Sequence, residues 1–236
     1  MTYIISLASL PKRYKILPMV IESMLKQSSP PKNIYIYIPK KEKLPPHQRG
    51  TLAHSKIIYR KVEDIGPFTK LMYTLQDPNI KKNERVLVTD DDAVKAKSWA
   101  RVLLSKMNKK EVTSFSKIIH GGYGFAFYKG LFKLKKIKKL FFEFPRMSRF
   151  IDDDFLTFYC VLNNIKINKI NKIPHLNQTK CLPKIPKNGL VHEKGKKNRE
   201  NLRLELQKYI SKKYKLYFSL SVKKISSGRF SCKRSK

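Results

Sequence analysis

Arg85-Val86-Leu87-Val88-Thr89-Asp90-Asp91-Asp92 runs a β-prone stretch, uncharged after Arg85, directly into three consecutive aspartates. The continuous apolar run predicts a strand covered on both faces, and the acids then stand at its carboxyl end. Three adjacent carboxylates repel one another and persist only where water or a cation neutralises them. In extended backbone alternate side chains share a face, so Asp90 and Asp92 point together and Asp91 points away. Such oxygen ligands suit Mg²⁺ or Mn²⁺, commonly held by one or two carboxylates plus substrate phosphates. A bound metal would offset charge developing on a diphosphate leaving group. A solvated acidic turn is the plain alternative. Placement at a strand end in a strongly basic chain argues against it.

Upstream of this stretch, strand and helix signals alternate. Strands are expected over 3–7, 33–38 and 56–60. Helices are expected over 14–27, where Ile16, Leu17, Val20, Ile21, Met24 and Leu25 recur at helical spacing, and over 66–76 behind Gly66-Pro67. Downstream, a helix over 97–108, a strand over 124–128 and helices over 152–163 and 199–213 are expected. The βαβ alternation predicts an α/β fold with a mostly parallel central sheet and helices on both faces. In such sheets ligands bind beyond the carboxyl ends of the strands, where the aspartates lie.

The 236 residues fit one domain over 1–193 followed by a basic C-terminal helix and tail over 194–236. Lys and Arg total 52 against 17 acids, a net charge of +35, which directs the chain toward anionic partners without choosing among them. Part of that charge lies in Asn/Ile/Lys stretches such as 165–172 and reads as compositional bias. The region from 221 onward has few apolar residues and is expected to fray. Three widely spaced cysteines, Cys160, Cys181 and Cys232, form neither a disulfide framework nor a zinc pattern and fit a reducing compartment. No continuous apolar stretch is long enough to span a bilayer, and the N-terminus lacks a basic n-region. A cytoplasmic protein is expected, with peripheral attachment to an anionic membrane through the basic C-terminal region as a further expectation.

Three more motifs carry chemistry. Asp152-Asp153-Asp154 stands at a predicted helix start. Capping would account for one or two of these acids but hardly for three. The functional reading is a general base that removes a proton from an acceptor hydroxyl. Asp64-Ile65-Gly66-Pro67-Phe68-Thr69-Lys70 combines a glycine that permits close backbone approach, a helix start with free amides, and a lysine able to neutralise phosphate. His120-Gly121-Gly122-Tyr123-Gly124 concentrates glycines where backbone approaches something closely, and is not a phosphate loop.

In order and spacing these elements resemble the GT-A fold, family 2-like glycosyltransferases of bacteria and large DNA viruses. Ser6-Leu7-Ala8-Ser9-Leu10-Pro11-Lys12-Arg13 resembles their S-L-x-S-x-P-x-R opening. Gly66-Pro67-Phe68-Thr69-Lys70-Leu71, the DDD, the Gly-rich turn and Asp152-Asp153-Asp154-Phe155-Leu156-Thr157 follow in the group's order. The resemblance covers roughly residues 3 to 165. It implies a Rossmann-like nucleotide-sugar-binding domain in which Ser9 to Arg13 line the nucleotide pocket, Asp64 contacts base or ribose, and Lys70 contacts the nucleotide. It places Asp90 near ribose or metal and Asp92 on the metal, Mn²⁺ or Mg²⁺. Asp91, Gly121 and Gly122 complete the residues expected around the donor. Asp153 best matches the catalytic base of inverting members, with Asp152 beside it. Asp154 is a departure, because the group usually carries an apolar residue there. His192 is the candidate C-terminal metal ligand, an ordinary surface histidine being the alternative.

The activity implied is transfer from a nucleotide-sugar donor, a UDP-sugar first and GDP or dTDP next, to a glycan, lipid or protein acceptor that the residues do not name. A metal-dependent nuclease or phosphotransferase would also use carboxylates and a basic surface, but leaves the Gly-Pro-x-Thr-Lys and opening Ser-Leu motifs without a role. A nucleic-acid or membrane-surface binder leaves both acid clusters unused. Nucleic acid is therefore not the expected partner.

Overall fold

The computed structural model describes residues 2–45, 50–145, 150–170, 195–214, 218–219 and 233–234. The strands are β1 (Ile4–Ala8), β2 (Asn33–Pro39), β3 (Ile57–Val62), β4 (Arg85–Val88), β5 (Glu111–Ser114), β6 (Phe125–Tyr128) and β7 (Lys166–Lys169). The helices are α1 (Leu17–Leu25), α2 (Thr69–Gln76), α3 (Trp99–Ser105), α4 (Leu134–Glu143), α5 (Asp152–Leu162) and α6 (Gly195–Tyr214). A separate two-residue pairing joins β8 (Phe218–Ser219) to β9 (Lys233–Arg234).

One seven-stranded sheet runs in the order β3-β2-β1-β4-β6-β5-β7. β1 pairs in parallel with both β2 and β4, β2 with β3, and β5 with β7, while β6 is antiparallel to β4 and β5. The chain thus builds outward from β1 through β2 to β3 and then returns to the other side of β1 as β4. That reversal makes the carboxyl ends of β1 and β4 the topological switch point, where ligands bind in open α/β sheets.

Alternation along the strands divides the core between the two faces. Ile4, Tyr35, Tyr37, Val86 and Val88 join one cluster, with Met72 and Leu75 of α2, Ile137 and Phe141 of α4, Phe155 and Phe158 of α5, and Leu206 and Ile210 of α6. Tyr3, Ile5, Leu7, Ile34, Ile36 and Leu87 face the other, with Val20 and Met24 of α1 and Leu103 of α3. With both faces covered, the central strands show continuous burial rather than an apolar/polar alternation. Buried Gln27 fastens α1 to α3: its amide donates to the carbonyls of Ser23 and Ala96, and its oxygen accepts the N–H of Ala100.

The expected elements are present, with differences at their ends. α2 begins at Thr69 rather than at Gly66-Pro67. Gly66 has φ +87°, a left-handed conformation that a helix cannot include, so the turn is completed before the helix opens. α3 spans 99–105 of the expected 97–108. β5, α4 and β7 have no counterpart in the sequence reading. β7 occupies part of the lysine-rich stretch read as compositional bias; its register comes entirely from pairing with β5, whose sequence position lies more than 50 residues away. The tail expected to fray lies outside the described residues apart from β9, as do Cys181 and Cys232. Cys160 is buried and free.

Candidate functional site

The loops after β1 and β4, the N-terminal parts of α2 and α5, and the turn over 120–124 meet at the switch point. α5 is brought there by aromatic packing. Phe68, just ahead of α2, stacks on Phe141 at 4.7 Å and meets Phe155 edge-on at 5.0 Å, while Phe144 meets Phe155 at 5.1 Å. Offset and edge-to-face pairs of this kind each contribute about 0.5–1.5 kcal/mol beyond their burial. Phe68 lies two residues from Lys70, and Phe155 one to three residues from the acids of α5.

Lys70 is the hub. Its side chain is 5% exposed, and its Nζ lies 2.6 Å from Asp152 Oδ2 and 3.0 Å from Asp90 Oδ1, and donates to the Pro67 carbonyl at 2.9 Å. Burial opposes the ammonium charge, but Asp152, Asp90 and Asp153 outweigh it and hold Lys70 above its usual pKa. Burial likewise pushes Asp90 upward, yet Lys70, with smaller help from His120 and Lys95, holds that carboxyl below its usual range. Two acid clusters about 60 residues apart are thereby gathered on one cation.

The three acids follow β4 and Thr89, with Asp91 and Asp92 in a turn, and they divide between the interior and the cleft. Asp91 is turned inward and accepts the Ser9 hydroxyl at 2.6 Å. Burial pushes its carboxyl up to about 7, against the Ser9 hydrogen bond and the nearby Arg13. Asp90 and Asp92 each keep about a third of the side chain exposed. Burial, and next the neighbouring Asp90, raise Asp92. Arg13 Nη1 lies 3.2 Å from Asp92 Oδ2, within ion-pairing distance, yet this buried nitrogen makes no hydrogen bond. A buried guanidinium nitrogen with an unused N–H is uncommon, and marks a place an anionic oxygen can fill.

Gly121 and Gly122 explain themselves in three dimensions. A Cβ on Gly121 would stand 2.5 Å from Asp90 Oδ1, so only glycine allows the turn to lie against that carboxylate. The Gly121 N–H donates to Asp153 Oδ1 at 2.9 Å, and its carbonyl accepts the Asp90 N–H at 3.1 Å, which joins the two acid clusters through one residue. Lys95 Nζ donates to the Gly122 carbonyl at 2.6 Å and Trp99 Nε1 to the Tyr123 carbonyl at 2.8 Å, bracing the turn from the start of α3 and the segment ahead of it.

None of the three acids opening α5 caps the helix, which has no side-chain cap at all. Each is engaged elsewhere: Asp152 with Lys70, Asp153 with Gly121, and Asp154 with Arg203 of α6. Asp153 is raised well above the usual carboxylate range, by burial first and then by Asp152 and Asp90. Asp154 is fully buried and receives two hydrogen bonds from Arg203, at 2.8 and 3.2 Å. That pair accounts for an acid at a position where an apolar residue was expected. Thr157 extends the bracing, donating to the Asp153 carbonyl and accepting the Ile119 N–H.

The structure brings together Ser9, Arg13, Lys70, Asp90, Asp91, Asp92, Gly121, Gly122, Asp152 and Asp153. Asp64 is exposed and accepts the Gly66 N–H at 2.9 Å, an Asx turn that shapes the approach to α2. His192 lies outside the described residues. Sequence reasoning missed Lys95 and Arg203, and carried Thr157 in a motif without giving it a role. A lysine or arginine carries almost no signal among 52, and nothing in a one-dimensional pattern pairs Arg203 with Asp154.

Among the described residues, no group of three His, Cys, Asp or Glu side chains could hold a metal by itself. A hard divalent cation that keeps several water and phosphate ligands does not need three. The one-third-exposed carboxylates Asp90 and Asp92 fit a metal held jointly with a diphosphate, and Arg13 Nη1 fits the phosphate oxygens.

No known family profile and no curated protein matches the chain. Solved structures do match. A 4-diphosphocytidyl-2C-methyl-D-erythritol synthase aligns over 86% of this chain and 99% of its own, with TM-score 0.52 and 10% identity. The mannosyltransferase PcManGT of Pyrobaculum calidifontis, in complex with GDP-Man and Mn²⁺, aligns over 72% of this chain and 54% of its own, with TM-score 0.51 and 13% identity. An active-site mutant of LgtC aligns over 85% and 96%, with TM-score 0.50 and 12% identity. At these identities the likeness is one of fold: the mixed sheet and its helices are of the GT-A type.

Proposed function

We propose that this protein is a glycosyltransferase that moves a sugar from a nucleotide-sugar donor to an acceptor hydroxyl, with a divalent metal. The observation that carries this reading is the convergence of Asp90–Asp92 and Asp152–Asp153 on Lys70 at the β1/β4 switch point of a GT-A sheet. Carboxylates from two distant segments, a buried cation between them and an arginine with an unused N–H form a site for a diphosphate and the sugar it carries. The transferase unit is taken as residues 1–193, with α6 of the basic segment 194–236 keyed to it through Arg203.

Ser9 and Arg13 would line the nucleotide pocket, with Asp91 anchoring Ser9. Asp90 and Asp92 would hold Mn²⁺ or Mg²⁺. When bound, the metal would neutralise charge on the departing diphosphate. Lys70 sits beside Asp90 and would add positive charge at the same place. Asp153 would act as general base: the acceptor oxygen bonds to the anomeric carbon, the bond from that carbon to phosphate breaks, and the hydroxyl proton passes to Asp153. Its raised pKa favours receiving that proton, and the Gly121 N–H orients it. Attack opposite the leaving group inverts the anomeric centre. UDP-sugars are the first donors to try, then GDP- and dTDP-sugars.

Isothermal titration of UDP and GDP with and without Mn²⁺, followed by a panel of nucleotide sugars assayed for metal-dependent release of nucleoside diphosphate, tests the proposal. Metal-dependent binding and nucleoside diphosphate release are expected. Release of pyrophosphate from a nucleoside triphosphate would instead mark a nucleotidyltransferase. Metal-dependent cleavage of DNA or RNA would mark a nuclease.

A further inference from the structure

α4 presents two unlike faces. Ile137, Leu140 and Phe141 are buried against the core, while Lys135, Lys136, Lys138 and Lys139 are all exposed on the outer side. Phe142 is on that outer side too, 45% exposed, among the few large apolar side chains left in water. Beside this face an open groove of about 420 Å³ runs between α4 and the C-terminal ends of α5 and α6. Lys136, Lys139 and Lys213 rim it, and Leu140, Tyr159 and Leu162 supply its apolar part. The acid that could neutralise the rim, Glu143, is already paired with Lys213 at 2.8 Å and approached by Lys139 at 3.9 Å. Lys213 also lies over the rings of Tyr209 and Tyr214. Asp152 is the first residue of the 11-residue α5 and Leu162 the last, which puts the groove about 16 Å along that helix from the acid cluster.

We propose that the outer face of α4 and the groove beside it dock on an anionic phospholipid surface, lipid phosphates meeting Lys136, Lys139 and Lys213 and Phe142 entering the headgroup boundary. A helix with a lysine-rich outer face and an aromatic side chain at one end has the composition of an interfacial helix. Each basic side chain at an anionic leaflet raises partitioning about fivefold. The exposed phenylalanine and the apolar groove wall favour lipid over nucleic acid, since neither would neutralise phosphate and both gain from leaving water. The surface lies outside the proposed catalytic cluster, so membrane docking and turnover are separable.

Co-sedimentation of the full chain with phosphatidylglycerol/phosphatidylcholine vesicles, pure phosphatidylcholine as control, tests this at two salt concentrations. The variant Lys135→Gln/Lys136→Gln/Lys138→Gln/Lys139→Gln keeps helix propensity and touches only exposed side chains. It should lower partitioning to anionic vesicles by about 10²–10³-fold. Phe142→Ser should lower it further in a way salt does not reproduce. Nucleoside diphosphate release in solution should be unchanged in both, so the outcome is independent of the catalytic reading. Unchanged sedimentation of the quadruple variant, equal binding to phosphatidylcholine alone, or preferential retention by RNA over anionic vesicles would each overturn the proposal.

Discussion

Lys70 Nζ lies 2.6 Å from Asp152 Oδ2, across 82 residues of sequence, and the pair locks the start of α5 to the start of α2. With Asp90 at 3.0 Å from the same nitrogen, one buried ammonium holds both acid clusters of the site. Removing it would leave carboxylates partly buried without a counter-charge. Lys70→Met is therefore expected to destabilise the fold by about 3 kcal/mol, the low end for a broken buried pair because Asp90 remains a third exposed. The sign of the pH effect follows. Without Lys70 the folded-state pKa of Asp90 rises, so acid relieves the defect. Urea denaturation of the two proteins should show a larger gap at pH 8 than at pH 4.5, and a gap that widens in acid would contradict the pairing.

Asp91 supplies a second pH signature. Its folded pKa of about 7 stands above the unfolded value of 3.8, so the native state binds more protons between those limits. Stability of metal-free protein, held in chelator, should accordingly fall as pH rises from about 4 to about 7 through this group, by a few kcal/mol at most. Asp91→Asn keeps an acceptor for the Ser9 hydroxyl and should flatten that slope. An unaltered slope in the variant would place its origin elsewhere.

Asp92→Asn should remove most activity and weaken nucleotide-sugar binding in Mn²⁺. The amide keeps the side chain's shape but loses the charge proposed to hold the metal and the partner of Arg13. Calorimetry in Mn²⁺ beside steady-state turnover measures both effects. Near-normal values of each would show the metal to be held elsewhere.

Asp153→Asn should behave differently. A positioned base typically contributes about 10²–10⁴-fold, so turnover should drop by that factor with donor affinity nearly unchanged. The amide oxygen can still accept the Gly121 N–H, and a buried carboxylate is removed, so the melting temperature should hold or rise. A melting temperature lowered together with wild-type turnover per folded molecule would assign Asp153 a structural role. A product retaining the donor's anomeric configuration, seen by NMR, would end the inverting mechanism.

Arg203 and Asp154 form the buried pair that ties α6 to α5. Arg203→Met should cost about 3–5 kcal/mol, because it strands a fully buried carboxylate. Adding Asp154→Leu should recover most of that loss, since an apolar pair of similar volume replaces the ions. Chemical denaturation of the two single variants and the double closes the cycle, and additive losses would mean that the residues are not coupled.

Much of the site was legible because strand chemistry is local. A short apolar run leading into Asp90-Asp91-Asp92 already implies acids at the carboxyl end of a buried strand, and alternation assigns Asp91 the opposite face from its neighbours. The glycines at 121 and 122 announced a close approach, although only the folded chain shows that Asp90 is what approaches Gly121. The edge strand β7 and the helix α4 escaped notice because lysine fills both, and a lysine's own composition does not reveal whether its neighbours are buried.

The sequence by itself determined the α/β alternation, the strand-end aspartates and the second acid cluster at a helix start, since each depends on periodicity and chemistry within a dozen residues. Tertiary structure alone decided that Lys70 would join those clusters, that Gly121 would bridge Asp90 and Asp153, and that Asp154 would be matched by Arg203. Those choices follow from sheet order and from the aromatic packing of α4 and α5 on α2, which bring together charges 20 to 82 residues apart. A carboxylate's partner is set by which cation shares its low-dielectric pocket, and that proximity exists only after the chain has closed.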